Sequence, residues 1–372
     1  MKILFPIGSF YPTTFGGPGA ILYWHGVYLK KHNIQPTFVT TTAGITDPII
    51  SNQFLDKPCG LVYYGKGGVL NFKTIKVMLA EVKKTDLIHL TSLFSPISII
   101  CFLYAFFFYP KTKVVWSVRG ELNTKALAIS KQKKKWLLKL YTLITKKVTF
   151  ASTALKETVE INKIFPNKVI QIPNVMPTSI KLERKTSEIR FLFLGRIHPI
   201  KNLDGLIQGV CNSDTFKNHK VYLDIAGVCD ARDSVYLDSL KTVIRQNKME
   251  QKISFLGHVA GKQKEQLLAN AYFLILPSHS ENFGNVVIEA LNQGTPVIAS
   301  KNTPWQELET YNCGFWIENS PEKMAAIIDK AYNLSDLNYL TYRKHALTLN
   351  NTKYKIETRI KDWVNAYKLL VQ

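Results

Sequence analysis

The chain of 372 residues carries 48 Lys+Arg against 27 Asp+Glu, a formal charge of +21 with His neutral, and 46% of it is hydrophobic. That length predicts two domains, and apolar and aromatic residues spread along the whole chain exclude a disordered or fibrous protein. The five cysteines, Cys59, Cys101, Cys211, Cys229 and Cys313, are scattered and form no C-x-x-C pair. This argues against a disulfide framework or a thiolate zinc site and fits a reducing compartment.

Met1 to Tyr11 holds only a short apolar run before Gly8, too little for a secretory signal, so residence in the cytoplasm is the expectation. Short β-branched or apolar runs then alternate with longer helical patterns, the signal of parallel sheets covered by helices. Strands are expected at Lys2–Ile7, Gln35–Thr40, Leu61–Tyr64, Asp86–Leu90, Lys113–Val118, Val148–Ala151 and Val169–Ile172. Helices are expected at Gly19–Lys31, Lys73–Lys84 and Ala154–Phe165. Leu93–Tyr109 has no charged residue. It lies just below membrane-spanning length and Ser95, Pro96 and Ser98 interrupt its start, which favours a buried helix over a span.

Charge is unevenly placed: residues 1–175 hold 23 Lys+Arg against 7 Asp+Glu, a net of +16. Between Glu121 and Glu157 there is no acid, while lysines from Lys125 to Lys156 interleave with Trp136, Leu137, Leu138, Leu140, Tyr141 and Leu143. Such a basic amphipathic segment suits an anionic membrane surface, and a solvated basic face is the plainer alternative. Nucleic acid would also match the charge, but no RNA- or DNA-binding signature accompanies it.

Pro173, Asn174, Pro177 and a polar run break the alternation and mark an interdomain linker at 176–188, between an N-terminal domain at 1–175 and a C-terminal one at 189–350. A last helix within 351–372 is expected to pack back on the N-terminal domain. In the second domain strands are expected at Arg190–Leu194, Val221–Ala226, Lys252–Leu256, Phe273–Leu276 and Pro296–Ser300, with helices from Asn202, over Asp233–Asn247, from Lys262 and over Gly284–Gln293. The fold class is therefore α/β, two tandem Rossmann-like doubly wound domains. Ligands of such sheets bind beyond the carboxyl ends of the strands, here in a cleft that the two domains would face.

Two clusters in the second domain carry chemistry. Pro277–Ala290 runs from a buried strand through a glycine turn into a helix, where Phe283, Gly284 and Asn285 offer backbone N–H groups at the positive helix end. Glu281 sits just outside that helix and Glu289 about two turns inside, positions from which carboxylates can accept hydrogen bonds from sugar or ribose hydroxyls. Gly195, Arg196 and Lys201 follow the first strand, where a glycine lets a phosphate approach and two cations can clamp a diphosphate. Singly, each group has a plainer account: a helix cap, a buried backbone partner or a surface ion pair. In the first domain Gly16 and Gly17 follow the opening strand, a flexible loop that matches neither G-x-G-x-x-G nor a P-loop.

Together these residues resemble the retaining, nucleotide-sugar-dependent glycosyltransferases of family 4, of GT-B fold. The resemblance implies that Gly16 and Gly17 form the N-terminal glycine loop, that Arg196 and Lys201 neutralise the leaving diphosphate, and that Glu281 and Glu289 are the E-x7-E pair. Glu281 would then bind donor-sugar hydroxyls, Phe283, Gly284 and Asn285 would add backbone contacts, and Glu289 would hold the ribose. Gly257, His258 and Val259 resemble the base-binding segment. Where many members carry a His after the strand at Lys113–Val118, this chain has Arg119, so Arg119 and Glu121 are the candidates there for contact with donor sugar or acceptor. His89 occupies a conventional position and is equally accounted for as a packed histidine.

The resemblance implies a metal-independent, retaining hexosyltransferase without cofactor that moves a sugar from a UDP- or GDP-sugar to a glycan acceptor. A lipid-linked acceptor of capsule or O-antigen type at the inner membrane face would suit the basic N-terminal domain. The chain has no D-x-D. A nucleotide-sugar epimerase of related fold and a basic nucleic-acid-binding protein without catalysis stay open as alternatives.

Overall fold

The computed structural model describes residues 1–13, 17–46, 48–68, 71–128 and 130–372. The chain divides into two compact units, the first Met1–Pro177 with Ile356–Gln372, the second Thr178–Lys355.

The first unit is built on strands β1 (Lys2–Ser9), β2 (Gln35–Thr41), β3 (Phe54–Lys57), β4 (Gly60–Gly65), β5 (Leu87–Thr91), β6 (Lys113–Ser117), β7 (Val148–Ser152) and β8 (Val169–Gln171). They form one sheet in the order β3-β4-β2-β1-β5-β6-β7-β8, parallel except where the edge strand β3 runs against β4. Its helices are α1 (Gly17–Lys30), α2 (Phe72–Val82), α3 (Pro96–Phe108), α4 (Thr124–Ala128), α5 (Lys131–Ile144) and α6 (Leu155–Asn162). Side chains alternate across each strand, so one sequence serves two cores. Ile88 and Leu90 of β5 join the core under α2, α3, α5 and α6, whereas Leu87 joins that under α1 and the C-terminal helix.

Helix α3 is the charge-free segment. Asp, Glu, Lys and Arg are absent from it, Pro96 sits in its first turn, and it ends two residues before Pro110, as a ring that cannot continue a helix requires. Its 13 residues span about 20 Å at 1.5 Å each, short of a bilayer core. Among the described residues no helix is long and apolar enough to cross a membrane.

The second unit holds β9 (Ile189–Leu194), β10 (Val221–Ala226), β11 (Ile253–Gly257), β12 (Phe273–Leu276), β13 (Val297–Ser300) and β14 (Gly314–Ile317), in the order β11-β10-β9-β12-β13-β14. All of its pairings are parallel. Its helices are α7 (Leu203–Asn212), α8 (Asp214–Asn218), α9 (Ser234–Gln246), α10 (Gly261–Asn270), α11 (Asn285–Asn292), α12 (Glu307–Thr310), α13 (Pro321–Tyr332) and α14 (Asp336–Leu349); α15 (Ile356–Val371) belongs to the first unit.

Two boundaries differ from those read from the sequence. Residues 178–188, expected as a linker, have no helix or strand but are bonded into the second unit. The Leu182 amide donates to Gln293 Oε1 at 2.9 Å, Arg184 Nε to the Asn270 carbonyl at 3.2 Å, and the Lys185 amide to Asn270 Oδ1 at 2.9 Å. The stretch that resembles a linker is thus held by backbone and side-chain donors that find acceptors on the second unit. The return to the first unit falls at Lys355/Ile356 rather than near residue 350, because a π-turn at Asn350–Tyr354 extends α14.

Candidate donor-binding site

Four strand ends of the second unit bring the sequence-predicted donor residues to one edge. Strand β9 stops at Leu194 and delivers Gly195 and Arg196; β10 stops at Ala226 and delivers Gly227 and Asp230; β11 ends in Gly257; β12 leads into Ser278 and Glu281. The first two ends nearly touch. Gly227 has φ +148°, and a Cβ there would lie 1.8 Å from the Gly195 carbonyl oxygen, so only glycine fits. Gly257, with φ +71°, accepts at its carbonyl from the Gly227 amide at 2.7 Å and opens to free space on its Cα side. His258 beside it is exposed and Val259 is buried.

Lys201 ends a tight turn, Pro199–Lys201, in which His198 Nδ1 accepts from the Ile200 amide at 3.1 Å. The Ile200 carbonyl accepts from the His279 amide at 2.8 Å, which fastens this turn to the loop after β12. Lys201 Nζ donates to Glu281 Oε1, and Ser278 Oγ donates to the same oxygen at 3.0 Å. Arg196 is about half exposed, 3.6 Å from Asp230, which also meets Arg232 at 3.2 Å. Glu289 faces Lys264 of α10, Nζ to Oε1 2.8 Å. Each principal charge of this edge is therefore balanced locally: Arg196 by Asp230, Lys201 by Glu281, Lys264 by Glu289. Asp230 and Lys264 escaped the sequence reading because each lies on an element distant in the chain from its partner.

Helix α11 opens at Gly284, left-handed at φ +85°, where a Cβ would press to 2.9 Å from Leu276 Cδ2. This corner turns the chain from the strand end into α11, and the Val287 amide donates back to the Gly284 carbonyl at 3.0 Å. Phe283 itself is buried and packs edge-on against Trp305 and Tyr354, while its carbonyl accepts from Trp305 Nε1. Its ring is structural, so any ligand contact there is by backbone. Because α11 begins at Asn285, Glu289 stands a little over one turn inside it rather than two.

The first-unit candidates divide. Gly17 opens α1, and Gly16 lies outside the described residues. Arg119, at left-handed φ +59°, follows β6; its Nη1 donates to Asn174 Oδ1 at 2.8 Å and its buried Nε has no hydrogen-bond partner among the described residues. Burial pulls its pKa below the usual guanidinium value, with Glu157 opposing. Glu157 is buried and accepts from the Gly120 amide at 2.6 Å and the Thr153 amide at 2.7 Å, which holds the Arg119 loop.

Glu121 corrects the sequence reading. Its Oε1 accepts from Ser92 Oγ at 2.5 Å and its Oε2 from the Leu93 amide at 2.6 Å and the Phe94 amide at 3.3 Å. Both oxygens are spent on the loop before α3, which argues for a structural rather than a catalytic carboxylate. Burial raises its pKa and these bonds lower it. His89 is a packed histidine: its Nδ1 meets Tyr367 Oη at 2.6 Å and its Nε2 meets Ser117 Oγ at 2.7 Å.

Residues 178–345 match the family described as glycosyl transferases group 1. The second unit is a group 1 glycosyl transferase domain. An uncharacterized glycosyltransferase of Methanocaldococcus jannaschii is 31% identical over 193 residues, 50% of this chain and 46% of that one. The O-antigen chain mannosyltransferase RfbU of Salmonella typhimurium is 30% identical over 193 residues, 51% of each. The match thus spans about half the length of these curated relatives. Solved structures extend the likeness to the whole chain at the level of fold. Anabaena HepE in complex with UDP and glucose superimposes with a TM-score of 0.77 over 99% of this chain and 100% of that one at 17% identity. The sucrose-phosphate synthase of Thermosynechococcus elongatus gives 0.80 over 99% and 98% at 16%. The fold of the chain is GT-B.

Proposed function

We propose that the protein is a hexosyltransferase that moves a sugar from a UDP- or GDP-sugar to a glycan acceptor, with retention at the anomeric carbon. The observation that carries this reading is the gathering of Arg196, Lys201, Glu281 and Glu289 at one sheet edge beside the close glycine contact of Gly195 and Gly227. A diphosphate leaving group gains charge as its bond to the anomeric carbon breaks, and two preorganised cations stabilise that charge. Arg196 would exchange Asp230, and Lys201 part of its pairing with Glu281, for phosphate oxygens. Glu281 would accept from donor-sugar hydroxyls and Glu289 from the ribose, with Gly284 and Asn285 adding backbone donors and Gly257–Val259 bordering the base.

In the proposed reaction the acceptor hydroxyl attacks on the face the diphosphate leaves, a phosphate oxygen takes the hydroxyl proton, and no enzyme nucleophile forms a covalent bond. The two cations fill the role of a divalent ion, so the reaction is metal-independent and needs no cofactor. Arg119 remains the first-unit candidate for contact with donor or acceptor. The name of the Salmonella relative supports surface polysaccharide assembly, and the HepE complex supports a nucleotide-sugar donor. The basic first unit supports a lipid-linked acceptor met by a peripheral enzyme at the cytoplasmic membrane face.

A thermal-shift panel of nucleotide sugars tests the reading. A true donor at about 100 times its dissociation constant adds about 2.7 kcal/mol of stability, so one base should raise the melting temperature well above the others. No shift with any UDP- or GDP-sugar would overturn it.

A further inference from the structure

We propose that the outer faces of α3 and α5 form a single membrane-docking surface, in which α3 supplies apolar insertion and α5 the charge that meets anionic headgroups. A helix that covers a sheet buries one stripe and turns polar side chains to water. Helix α3 buries Ile97, Cys101, Phe102 and Ala105, yet its outer side carries no charge: Ile99, Ile100 and Leu103 are half-buried and Phe107 and Phe108 are each 68% exposed. Helices that are apolar all round are buried or membrane-associated, and this one is too short to span. An exposed aromatic cluster of this kind marks a contact surface.

Helix α5 is its neighbour. The two cover adjacent strands, share one hydrophobic core, and are joined where Tyr141 Oη donates to the Leu93 carbonyl at 2.8 Å and Phe102 meets Tyr141 at 6.4 Å. Its outer side exposes Trp136 and Leu143, two turns apart and each more than two-thirds open, among exposed Lys133, Lys135 and Lys139. From residue 87 to 156 the chain carries twelve Lys+Arg and one acid. That acid is Glu121, turned inward onto Ser92, Leu93 and Phe94. No carboxylate of this stretch opposes the lysines, which gives the surface the complement of an anionic bilayer. A second copy of the chain would bring the same positive face and be repelled.

The inference deepens the lipid-linked reading above, and its test separates the two. The purified chain is sedimented with phosphatidylcholine vesicles, with and without phosphatidylglycerol, at low and high salt, while UDP and GDP binding is followed by calorimetry. The wild type is expected to sediment with the anionic vesicles, most of it released by salt and a residue retained. Phe107→Asp with Phe108→Asp should abolish the salt-resistant part. Lys133→Glu, Lys135→Glu and Lys139→Glu together should weaken low-salt binding at least about tenfold and spare the resistant part. Nucleotide affinity should be unchanged in both; Phe107→Ser with Phe108→Ser replaces the first variant if its melting curve shows unfolding. Absence of wild-type sedimentation, equal binding by both variants, or a dimer that the phenylalanine changes dissociate would overturn the proposal. Loss of nucleotide binding in the wild type would instead count against the glycosyltransferase reading alone.

Discussion

Lys201 and Glu281 are two residues with one joint, because the ammonium that would meet a phosphate also holds the carboxylate that would meet a sugar. Arg196→Ala and Glu281→Gln should each lower turnover about 10² to 10³-fold, the usual loss on removing one preorganised charge-stabilising contact. Neither side chain is part of a hydrophobic core, so melting curves should stay close to the parent's, and near-parental turnover in steady-state assays would remove that residue from the mechanism. Lys264 permits a sharper separation. It touches Glu289 and neither cation of the clamp is its partner, so Lys264→Met should weaken UDP or GDP binding about tenfold while leaving inorganic pyrophosphate binding unchanged. Calorimetric titration with both ligands reads the difference; equal losses for the two would assign Lys264 to the phosphates instead. Glu121 shows the opposite case, a carboxylate at a suggestive sequence position whose oxygens the adjoining backbone already uses.

At the scale of elements, α15 is tied to the first unit by a buried chain that joins three of them. His25 of α1 meets Tyr367 Oη at 2.9 Å, the same hydroxyl meets His89 of β5 at 2.6 Å, and His89 reaches Ser117 at the end of β6. Each bond needs one proton, and two neutral imidazoles with two hydroxyls supply them, so the chain is complete with both rings uncharged. Burial holds the pKa of His25 down to about 3, with Arg119 adding to the effect, and lowers that of His89 well below its ordinary value. Below the unfolded value near 6.5 the unfolded chain binds protons that the folded one refuses, so stability present at neutral pH is lost as pH falls from about 6.5 toward 3. His25 alone should contribute about 1.4 kcal/mol per pH unit in that window. Urea melts at neutral pH and near pH 5 should show the loss, and His25→Gln should flatten it. An unchanged slope in that variant would mean that other groups dominate acid lability.

On the scale of the whole molecule, the proposed clamp has a consequence for the reaction as such. With Arg196 and Lys201 in the place of a divalent ion, sugar transfer should continue in EDTA at close to its rate in untreated enzyme, as a radiolabelled-donor assay would show. Abolition by the chelator with recovery on adding Mg²⁺ or Mn²⁺ would refute the cation clamp. The two-unit plan was legible because strand and helix periodicities are local, and most strands fall within a residue or two of their expected places, from Lys2–Ser9 to Phe273–Leu276. Those that were missed are short: β3 is a four-residue edge strand with alternating exposure, and β14 is four residues opened by glycine. The candidate cluster was legible for the same reason, since Glu281 with Glu289 and Gly195 and Arg196 with Lys201 each lie within one short stretch of chain. What lay beyond the sequence are pairings between distant segments. Lys264 with Glu289 is 25 residues apart and His89 with Tyr367 is 278 apart. The outward turn of Phe107 and Phe108 on a helix that composition alone marked as buried belongs with them. Periodicity tells which residues share a face of one element, but only the packing of elements decides which face meets water and which carboxylate a cation finds.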